Sequence, residues 1–200
     1  MTSTTSRFTY LDQGIDPKGK ELWVIDPQNA FVNSYTEHVV EPIAALIRDW
    51  CSHGGKVSAS WFKSCGDDPW NEFMGWNTGG KENEALHPLV ADAIAETGSH
   101  SFPKNSYSAV IGDTDLYWVR LTDWGDEIYL CGLDTEACVL ATATDFFQHR
   151  FTRPVVFTDL CVSSRGPEYH QAGLMCLESL IGADQLVSVL SAPLIPAERR

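Results

Sequence analysis

The sequence has few basic residues, no long apolar run and no signal-peptide pattern. Its 200 residues include 14 Lys and Arg against 27 Asp and Glu, which gives a net charge of −13. A nucleic-acid-binding protein needs clustered basic side chains for phosphate contacts, so this balance argues against that class. The apolar runs are far shorter than the roughly 18 to 20 residues of a membrane span. Because the first ten residues also lack the apolar core of a signal peptide, we predict a cytoplasmic protein that does not bind membranes.

Neither the six cysteines nor the six histidines have the spacing of a metal site, and no C-x-x-C pair occurs. We therefore expect no metal and no cofactor. A disulfide framework is unusual in a cytosolic chain of this size, and several cysteines lie within apolar segments, where free thiols are usually inert. Taken alone, Cys138 is therefore expected to be a small buried side chain. No histidine is predicted beside it, so the pattern does not indicate a Cys-His hydrolase.

Short apolar runs alternate with segments of helical periodicity along the chain. Strands are predicted at about 22–25, 57–61, 99–104, 127–131, 154–158 and 185–189. Helices are predicted between them, at about 39–51, 86–96, 113–125, 135–149 and 167–181. This alternation, with right-handed crossovers, predicts an α/β protein: a three-layer α/β/α sandwich with a mostly parallel, six-stranded Rossmann-like sheet. Residues 1–18 are predicted to form an N-terminal arm that could serve oligomer contacts, and residues 19–200 to form one domain.

Three polar side chains follow strands of this predicted sheet. Asp26 ends the first strand, Lys104 ends the third, and Cys138 follows the fourth after a tight turn. Because ligands of open parallel sheets bind beyond the carboxyl ends of the strands, we expect these residues to meet at one edge. An acid, a base and a thiol are suited to acyl transfer. If Thr135 caps the following helix, the positive end of the helix dipole favours the thiolate of Cys138.

Three stretches resemble the isochorismatase-like cysteine hydrolases, a family that includes nicotinamidases, N-carbamoylsarcosine amidase, ureidoacrylate and biuret amidohydrolases, and isochorismatase itself. They are LWVIDPQNAFV at 22–32, FPKNSYSAV at 102–110 and CGLDTEACVLATATDFFQHRFTRPVVFTDLCVSS at 131–164. The resemblance runs from about residue 20 to residue 190, so the predicted domain is an isochorismatase-like hydrolase domain.

The resemblance implies a catalytic triad of Asp26, Lys104 and Cys138, acting on a small molecule through a thioester. It also implies a cis peptide bond between Leu133 and Asp134, and an oxyanion hole made by the backbone N–H groups of Asp134 and Cys138. In this scheme Asp26 takes the thiol proton and later activates water. A homo-oligomer, either a dimer or a tetramer, is expected.

Departures from the family pattern narrow the expected reaction. Nicotinamidases of the family bind a metal through an Asp-x-His segment after the second strand, but Ser60 and Phe62 stand at those positions here. We therefore predict a metal-independent enzyme; Cys65, Asp67 and Asp68 could replace the ligands, although a polar loop is the simpler interpretation. Isochorismatase cleaves a vinyl ether by acid catalysis, so the presence of a cysteine nucleophile favours an amide, ureido or imide C–N bond. The vinyl-ether reaction remains an alternative, as does a non-catalytic small-molecule binder on the same fold.

Substrate contacts are predicted from position alone. Gln28, Phe31, Trp61 and Tyr107 are expected to line the site, although Gln28 could instead anchor its own loop. Whether the arm or the aromatic-rich loop 64–80 closes the pocket is left open.

The sequence allows more than one role for several other aromatic and charged residues. Trp70, Phe73 and Trp76 could form a lid, a subunit contact or ordinary packing. Arg165 could bind a substrate carboxylate or be a surface residue, and Asp159 is expected to brace loops. A dinucleotide-binding protein is disfavoured because the turn after the first strand, DPQNAF, contains no glycine.

Overall fold

The computed structural model describes residues 7–110, 126–150 and 152–194. Six strands form one sheet in the order β3-β2-β1-β4-β5-β6, and every pair of neighbours is parallel. The strands are β1 (Glu21–Ile25), β2 (Lys56–Phe62), β3 (His100–Lys104), β4 (Glu127–Leu133), β5 (Arg153–Val162) and β6 (Leu186–Val187). The predicted six-stranded parallel sheet is therefore confirmed.

Helices connect the strands as crossovers. The α-helices are α1 (Glu37–Ser52), α2 (Pro69–Met74), α3 (Lys81–Glu84), α4 (Pro88–Thr97), α5 (Leu140–Asp145) and α6 (Pro167–Ile181). Two π-helical segments, Thr135–Val139 and Phe146–Arg150, adjoin α5, and residues 135–150 together are called the cysteine helix below. Helices α1 and α4 connect β1, β2 and β3, on one side of the sheet order, whereas the cysteine helix and α6 connect β4, β5 and β6 on the other. Right-handed crossovers therefore place these two groups of helices on opposite faces of the sheet.

The order of the strands reverses between β1 and β4, and this is the position where open α/β sheets bind ligands. All five residues of β1 are buried, as expected for a strand covered on both faces. At the carboxyl end of this pair, Ile25 is in register with Gly132. A Cβ atom on Gly132 would lie 2.1 Å from the carbonyl oxygen of Ile25, and Gly132 has a φ of +129°. Only glycine allows the two strands to approach so closely here.

Several boundaries differ from the predicted ones. β5 continues to Val162 rather than ending near 158, and its pairing with β4 shifts register between Leu130 and Gly132. The predicted sixth strand shortens to Leu186–Val187, and the loop after β2 contains the short helices α2 and α3. The helix predicted at 113–125 lies outside the described residues.

The described part of the predicted arm packs against the domain. Tyr10 is completely buried, and its hydroxyl donates a hydrogen bond to Asp49 on α1. Phe8 is also buried and pairs with Leu190 in an antiparallel bridge. The first six residues are not described.

Candidate active site

Asp26 and Lys104 form a buried ion pair at the carboxyl ends of β1 and β3. Lys104 Nζ lies 2.7 Å from Asp26 Oδ2, and neither side chain is exposed to solvent. The ammonium group also donates hydrogen bonds to the carbonyl oxygens of Ser106 at 2.7 Å and Tyr107 at 3.1 Å. A buried ion pair is tolerated only when such additional hydrogen bonds replace the lost water.

Cys138, on the cysteine helix, completes a group with Asp26 and Lys104 that is called the cysteine cluster below. Its Sγ atom lies 3.4 Å from Lys104 Nζ, and the residue is only 5% exposed. The thiol lies in a π-helical turn directly after β4, and irregular turns of this kind are frequent at functional sites. The expected meeting of Asp26, Lys104 and Cys138 at one edge of the sheet is therefore observed.

Ser60 holds the other oxygen of the Asp26 carboxylate, and the sequence alone gave it no role in the site. Its hydroxyl donates to Asp26 Oδ1 at 2.7 Å, and its carbonyl oxygen accepts from the Asp26 backbone N–H at 3.1 Å. One signal could have identified it: Ser60 stands at a position where the family resemblance leads us to expect an aspartate. In this chain the position serves Asp26 instead.

Burial and two neighbouring charges act on the pKa of the Cys138 thiol. Burial raises the pKa of the Cys138 thiol well above its ordinary value, and the neighbouring Asp26 raises it further, while Lys104 only partly opposes this. Burial also works against the charge of Lys104, but the carboxylate of Asp26 raises the pKa of the ammonium above its usual range. These directions favour a thiol beside an ammonium ion in the resting site, so burial opposes the effect expected of the helix dipole.

The turn between β4 and the cysteine helix has the expected backbone feature, a cis peptide bond between Leu133 and Asp134. The predicted cap is different, because Asp134 rather than Thr135 occupies the N-cap position. The Asp134 carboxylate accepts hydrogen bonds from both the backbone N–H and the hydroxyl of Ser164, each at 2.7 Å. Burial raises the pKa of Asp134 to about 6, although the bonds from Ser164 oppose the rise. Thr135 Oγ1 lies 2.8 Å from His170 Nδ1.

A cavity of about 430 Å³ opens beside Cys138 and is walled mainly by aromatic rings. Phe31 stacks on Trp76 with centroids 5.9 Å apart, Trp70 packs edge-on to Phe62 at 4.8 Å, and Tyr107 packs edge-on to Trp70 at 5.3 Å. The remaining lining residues are Ala30, Met74, Asp134, Glu136, Ala137, Cys138, Ser164 and Arg165. A second cavity of about 560 Å³ lies between α1, β5, α6 and the segment 188–194, but no member of the cysteine cluster lines it.

Two of the four predicted substrate contacts are not brought to this cavity. Phe31 and Tyr107 line it, but Gln28 and Trp61 do not. Both ends of the Gln28 amide bond the backbone of Phe62, so this side chain anchors its own loop. Phe62 rather than Trp61 lines the cavity. Strand β2 continues one residue beyond the predicted end, and successive side chains of a strand point to opposite faces of the sheet. Phe62 also lies under the ammonium group of Lys104, 5.5 Å from its centroid.

The aromatic-rich loop supplies much of the cavity wall. Trp70, Met74 and Trp76 line the cavity, whereas Phe73 points to solvent and is 77% exposed. None of the described residues of the N-terminal arm lines it. Asp68, considered as a metal ligand, instead caps α2 by accepting a hydrogen bond from the backbone N–H of Asn71 at 3.0 Å. Within the described ranges, no three His, Cys, Asp or Glu side chains are grouped as metal ligands would be.

Asp159 and Arg165, the two charged residues without a predicted catalytic role, lie in different parts of the structure. Asp159 lies within β5 and braces the segment after β6, where its Oδ2 atom accepts backbone hydrogen bonds from Val189 at 2.8 Å and Leu190 at 2.7 Å. This agrees with the role expected for it. Arg165 lines the cavity, and its guanidinium group lies over the ring of Tyr169, 3.9 Å from the centroid.

Residues 22–187 match the isochorismatase domain model, and the chain belongs to the isochorismatase family of hydrolases. It is 30% identical to the maleamate amidohydrolase of Pseudomonas putida over 98 residues, which is 48% of this chain and 45% of that enzyme. The match therefore spans less than half the length of that relative.

Solved structures resemble most of the chain. A nicotinamidase/pyrazinamidase from Bacillus subtilis superposes with a TM-score of 0.73 at 24% identity, covering 84% of this chain and 99% of that one. The N-carbamoylsarcosine amidase of Thermoplasma acidophilum gives a TM-score of 0.68 at 21% identity, covering 88% and 98%. At this identity the likeness shows a shared fold. Across the described residues, no helix has both the length and the apolar character needed to cross a membrane.

Proposed function

We propose that the protein is a metal-independent cysteine hydrolase that cleaves the C–N bond of a small amide or ureide through a thioester. One observation carries the proposal: a buried ammonium group, Lys104 Nζ, lies 2.7 Å from a carboxylate and 3.4 Å from a thiol that lines a cavity. A binding protein has no need for an acid, a base and a nucleophile in contact with each other, whereas acyl transfer requires all three.

In the first half of the reaction, Asp26 accepts the proton of the Cys138 thiol as Sγ attacks the substrate carbonyl carbon. The raised pKa of the thiol fits this order, because the proton then leaves only when the new bond forms. Lys104 stays cationic and stabilises the negative charge that develops on sulfur. The C–N bond breaks, the C–S bond of the thioester forms, and Asp26 returns the proton to the departing nitrogen.

In the second half, water hydrolyses the thioester. Asp26 takes a proton from the attacking water, and Cys138 regains its proton as the acid product leaves. The backbone N–H groups of Asp134 and Cys138 are proposed to bind the oxyanion in both halves. Each such donor is worth on the order of 3 kcal/mol in the transition state.

The relatives support the choice of bond. The names of the similar proteins describe enzymes acting on nicotinamide, N-carbamoylsarcosine and maleamate, and each of these compounds carries an amide or ureido C–N bond. The cavity volume of about 430 Å³ suits a small molecule, and its aromatic walls suit a planar one. A homo-oligomer of two or four chains and a cytoplasmic location also remain predictions.

The proposal is tested by turnover of a panel of small amides and ureides, with release of ammonia or amine as the signal and mass spectrometry to detect the acyl-enzyme. Cys138→Ala is expected to lower the rate on the order of 10⁴-fold or more and to abolish the covalent adduct. Hydrolysis that survives this substitution unchanged would exclude the thioester route. Vinyl-ether cleavage by the Cys138→Ala variant would favour the isochorismatase-type reaction instead.

A further inference from the structure

Asp26 has an unusual backbone conformation for a residue that carries a side chain. Its φ angle is +49°, and within the described ranges it is the one residue other than glycine with a positive φ. Such a conformation is uncommon, persists only where the surrounding structure enforces it, and is found most often at functional sites. The backbone of Asp26 therefore directs attention to the contacts that hold it in place.

Those contacts come from the end of β2. The backbone N–H of Asp26 donates to the carbonyl oxygen of Ser60 at 3.1 Å, and the carbonyl oxygen of Asp26 accepts from the backbone N–H of Gln28 at 2.8 Å. The side-chain amide of Gln28 in turn bonds the backbone of Phe62. Asp26 is therefore tied to β2 on both sides, to Ser60 directly and to Phe62 through Gln28.

The Ser60 side chain adds a contact to the Asp26 carboxylate itself. Ser60 Oγ lies 3.3 Å from the backbone nitrogen of Asp26 and 2.7 Å from Asp26 Oδ1. A backbone N–H can only donate, so the hydroxyl oxygen is the acceptor of the first bond, and the hydroxyl proton is directed to Oδ1. Ser60 is only 1% exposed, so this bond is shielded from solvent.

The two oxygens of the Asp26 carboxylate consequently have different donors. Oδ1 accepts from the Ser60 hydroxyl, whereas Oδ2 meets the ammonium group of Lys104 at 2.7 Å. Rotation of the carboxylate about its Cβ–Cγ bond would break both contacts, and in this buried position the lost donors would leave its oxygens unsatisfied. The carboxylate is thus held in one orientation, beside the ammonium group that also contacts Cys138 Sγ at 3.4 Å.

We propose that Ser60 is a positioning residue of the proposed reaction, whose hydroxyl keeps the Asp26 carboxylate in the orientation needed to exchange a proton with Cys138. The inference rests on the proposed function and deepens it. Ser60 is not among the described residues that line the cavity, so it acts through Asp26 rather than on the substrate. Asp26 needs a fixed orientation because it accepts the thiol proton, gives it to the departing nitrogen and then takes a proton from water.

Substitutions that remove only the hydroxyl test the proposal. Ser60→Ala is expected to lower kcat for the best substrate of the amide and ureide panel at least about tenfold, as for loss of one hydrogen bond to a charged group. KM should stay within about twofold, because Ser60 does not touch the substrate. Ser60→Thr and Ser60→Val have nearly the same shape, but only threonine keeps the hydroxyl. The threonine variant is therefore expected to have a kcat at least about tenfold higher than that of the valine variant.

Ser58→Ala is the matched control, because it makes the same change two residues earlier on β2. Ser58 is 2% exposed, and its hydroxyl donates to Glu21 Oε1 at 2.7 Å. Glu21 begins β1, whereas Asp26 follows its other end, so the control loses a buried hydroxyl–carboxylate bond at the opposite end of the strand. Its kcat is expected to stay within about twofold of the wild-type value. An unchanged kcat in Ser60→Ala, an equal fall in both alanine variants, or equal values for the threonine and valine variants overturns the proposal.

Crystal structures of the two alanine variants separate this inference from the proposed function, because they need no substrate. The Asp26 carboxylate is expected to rotate, or to adopt more than one orientation, in Ser60→Ala and to keep its wild-type orientation in Ser58→Ala. An unchanged carboxylate in Ser60→Ala overturns the role of Ser60 even if kcat falls.

The two failures can be told apart. If the wild-type protein hydrolyses no compound of the panel, the proposed reaction fails and the structures alone decide: a rotated carboxylate supports the orienting role of Ser60, and an unchanged one overturns it. If Ser60→Ala does not fold, Ser60→Cys takes its place with the same expectations, because it keeps the approximate size of the side chain but offers only a weak S–H donor.

Discussion

Cys138 of the cysteine cluster lines the same cavity as the aromatic wall, but different parts of the fold hold the cluster and the wall. Asp26 and Lys104 are completely buried at the ends of two strands of the sheet. Trp70 and Trp76 lie in the segment between β2 and α4 and pack against the ring of Phe62. This contrast indicates that the sheet fixes the reactive atoms, whereas the connecting segments determine the shape of the space above them.

The two regions are therefore expected to respond differently to substitution. A change in the cluster affects groups that are out of water and paired with each other, so it should lower both stability and activity. A change in the wall affects partly exposed rings, so it should alter substrate binding more than stability. The predictions below begin with the cluster and end with the wall.

The largest effect is expected for Lys104→Met, which leaves the buried Asp26 carboxylate without its counter-ion. Removing one partner of a buried ion pair costs about 3–5 kcal/mol of unfolding free energy. Denaturant unfolding at neutral pH measures the loss, and hydrolysis should be lost as well. The control is Lys20→Met: Lys20 pairs with Glu127 at 3.1 Å, where the side chains are 34% and 24% exposed. Its expected cost is about 0–1 kcal/mol.

Equal losses in the two lysine variants would contradict the idea that burial makes the Asp26–Lys104 pair more important for stability than a partly exposed ion pair. A large loss for Lys104→Met alone would confirm that burial makes the difference. Met is suitable because it keeps most of the length of lysine and can pack on Phe62, which already lies under the ammonium group. The two variants also remove the same charge, so changes in net charge cancel between them.

Asp134 connects the two regions and gives a prediction for pH. Its carboxylate accepts two hydrogen bonds from Ser164, a residue of the cavity wall. Its backbone nitrogen belongs to the cis peptide bond with Leu133, four residues before Cys138. Burial raises the pKa of Asp134 from an ordinary 3.8 to about 6. A raised pKa means that ionisation costs stability: the contribution is fully present below about pH 4 and is lost as the pH rises through 6.

The variant Asp134→Asn keeps the shape of the side chain and does not titrate. Its unfolding free energy relative to the wild-type protein is expected to increase as the pH is raised from 4 to 6.5. The rise in pKa corresponds to a ceiling of about 3 kcal/mol. Denaturant unfolding of both proteins across that range gives the difference between their unfolding free energies at each pH. Taking this difference removes the contributions of all other titrating groups. A difference that stays constant with pH would show that Asp134 does not titrate in this window.

Much of the cluster could be predicted because the ends of parallel strands lie at one edge whatever the details of packing. The apolar run of β1 stops at Asp26, so its place in the sheet follows from the sequence pattern. The protonation of Cys138 could not be predicted this way, since its pKa depends on burial by tertiary contacts that no local pattern contains. A slow reaction with alkylating agents at neutral pH would therefore not exclude catalysis by this thiol.

The wall was predicted less well, for two physical reasons. An error of one residue at the predicted end of β2 selects Trp61 instead of Phe62 as the cavity-lining side chain, because neighbouring residues of a strand face opposite sides of the sheet. Trp70 lies in the short helix α2 and Trp76 in irregular backbone beyond it, and neither segment is long enough to show a periodicity that predicts which way its rings face.

The smallest effect, and the one that most directly tests the wall, is expected for Trp76→Ala. The Trp76 ring is stacked on Phe31 with an interplanar angle of 8° and is only partly buried. Removing it should raise KM for a planar substrate about tenfold, equivalent to about 1.4 kcal/mol, and leave kcat within about twofold. Phe73→Ala, on the same segment but 77% exposed, should change neither value. If Trp76→Ala lowered kcat instead of raising KM, the wall would position the reacting atoms, and the division between sheet and connecting segments would not hold.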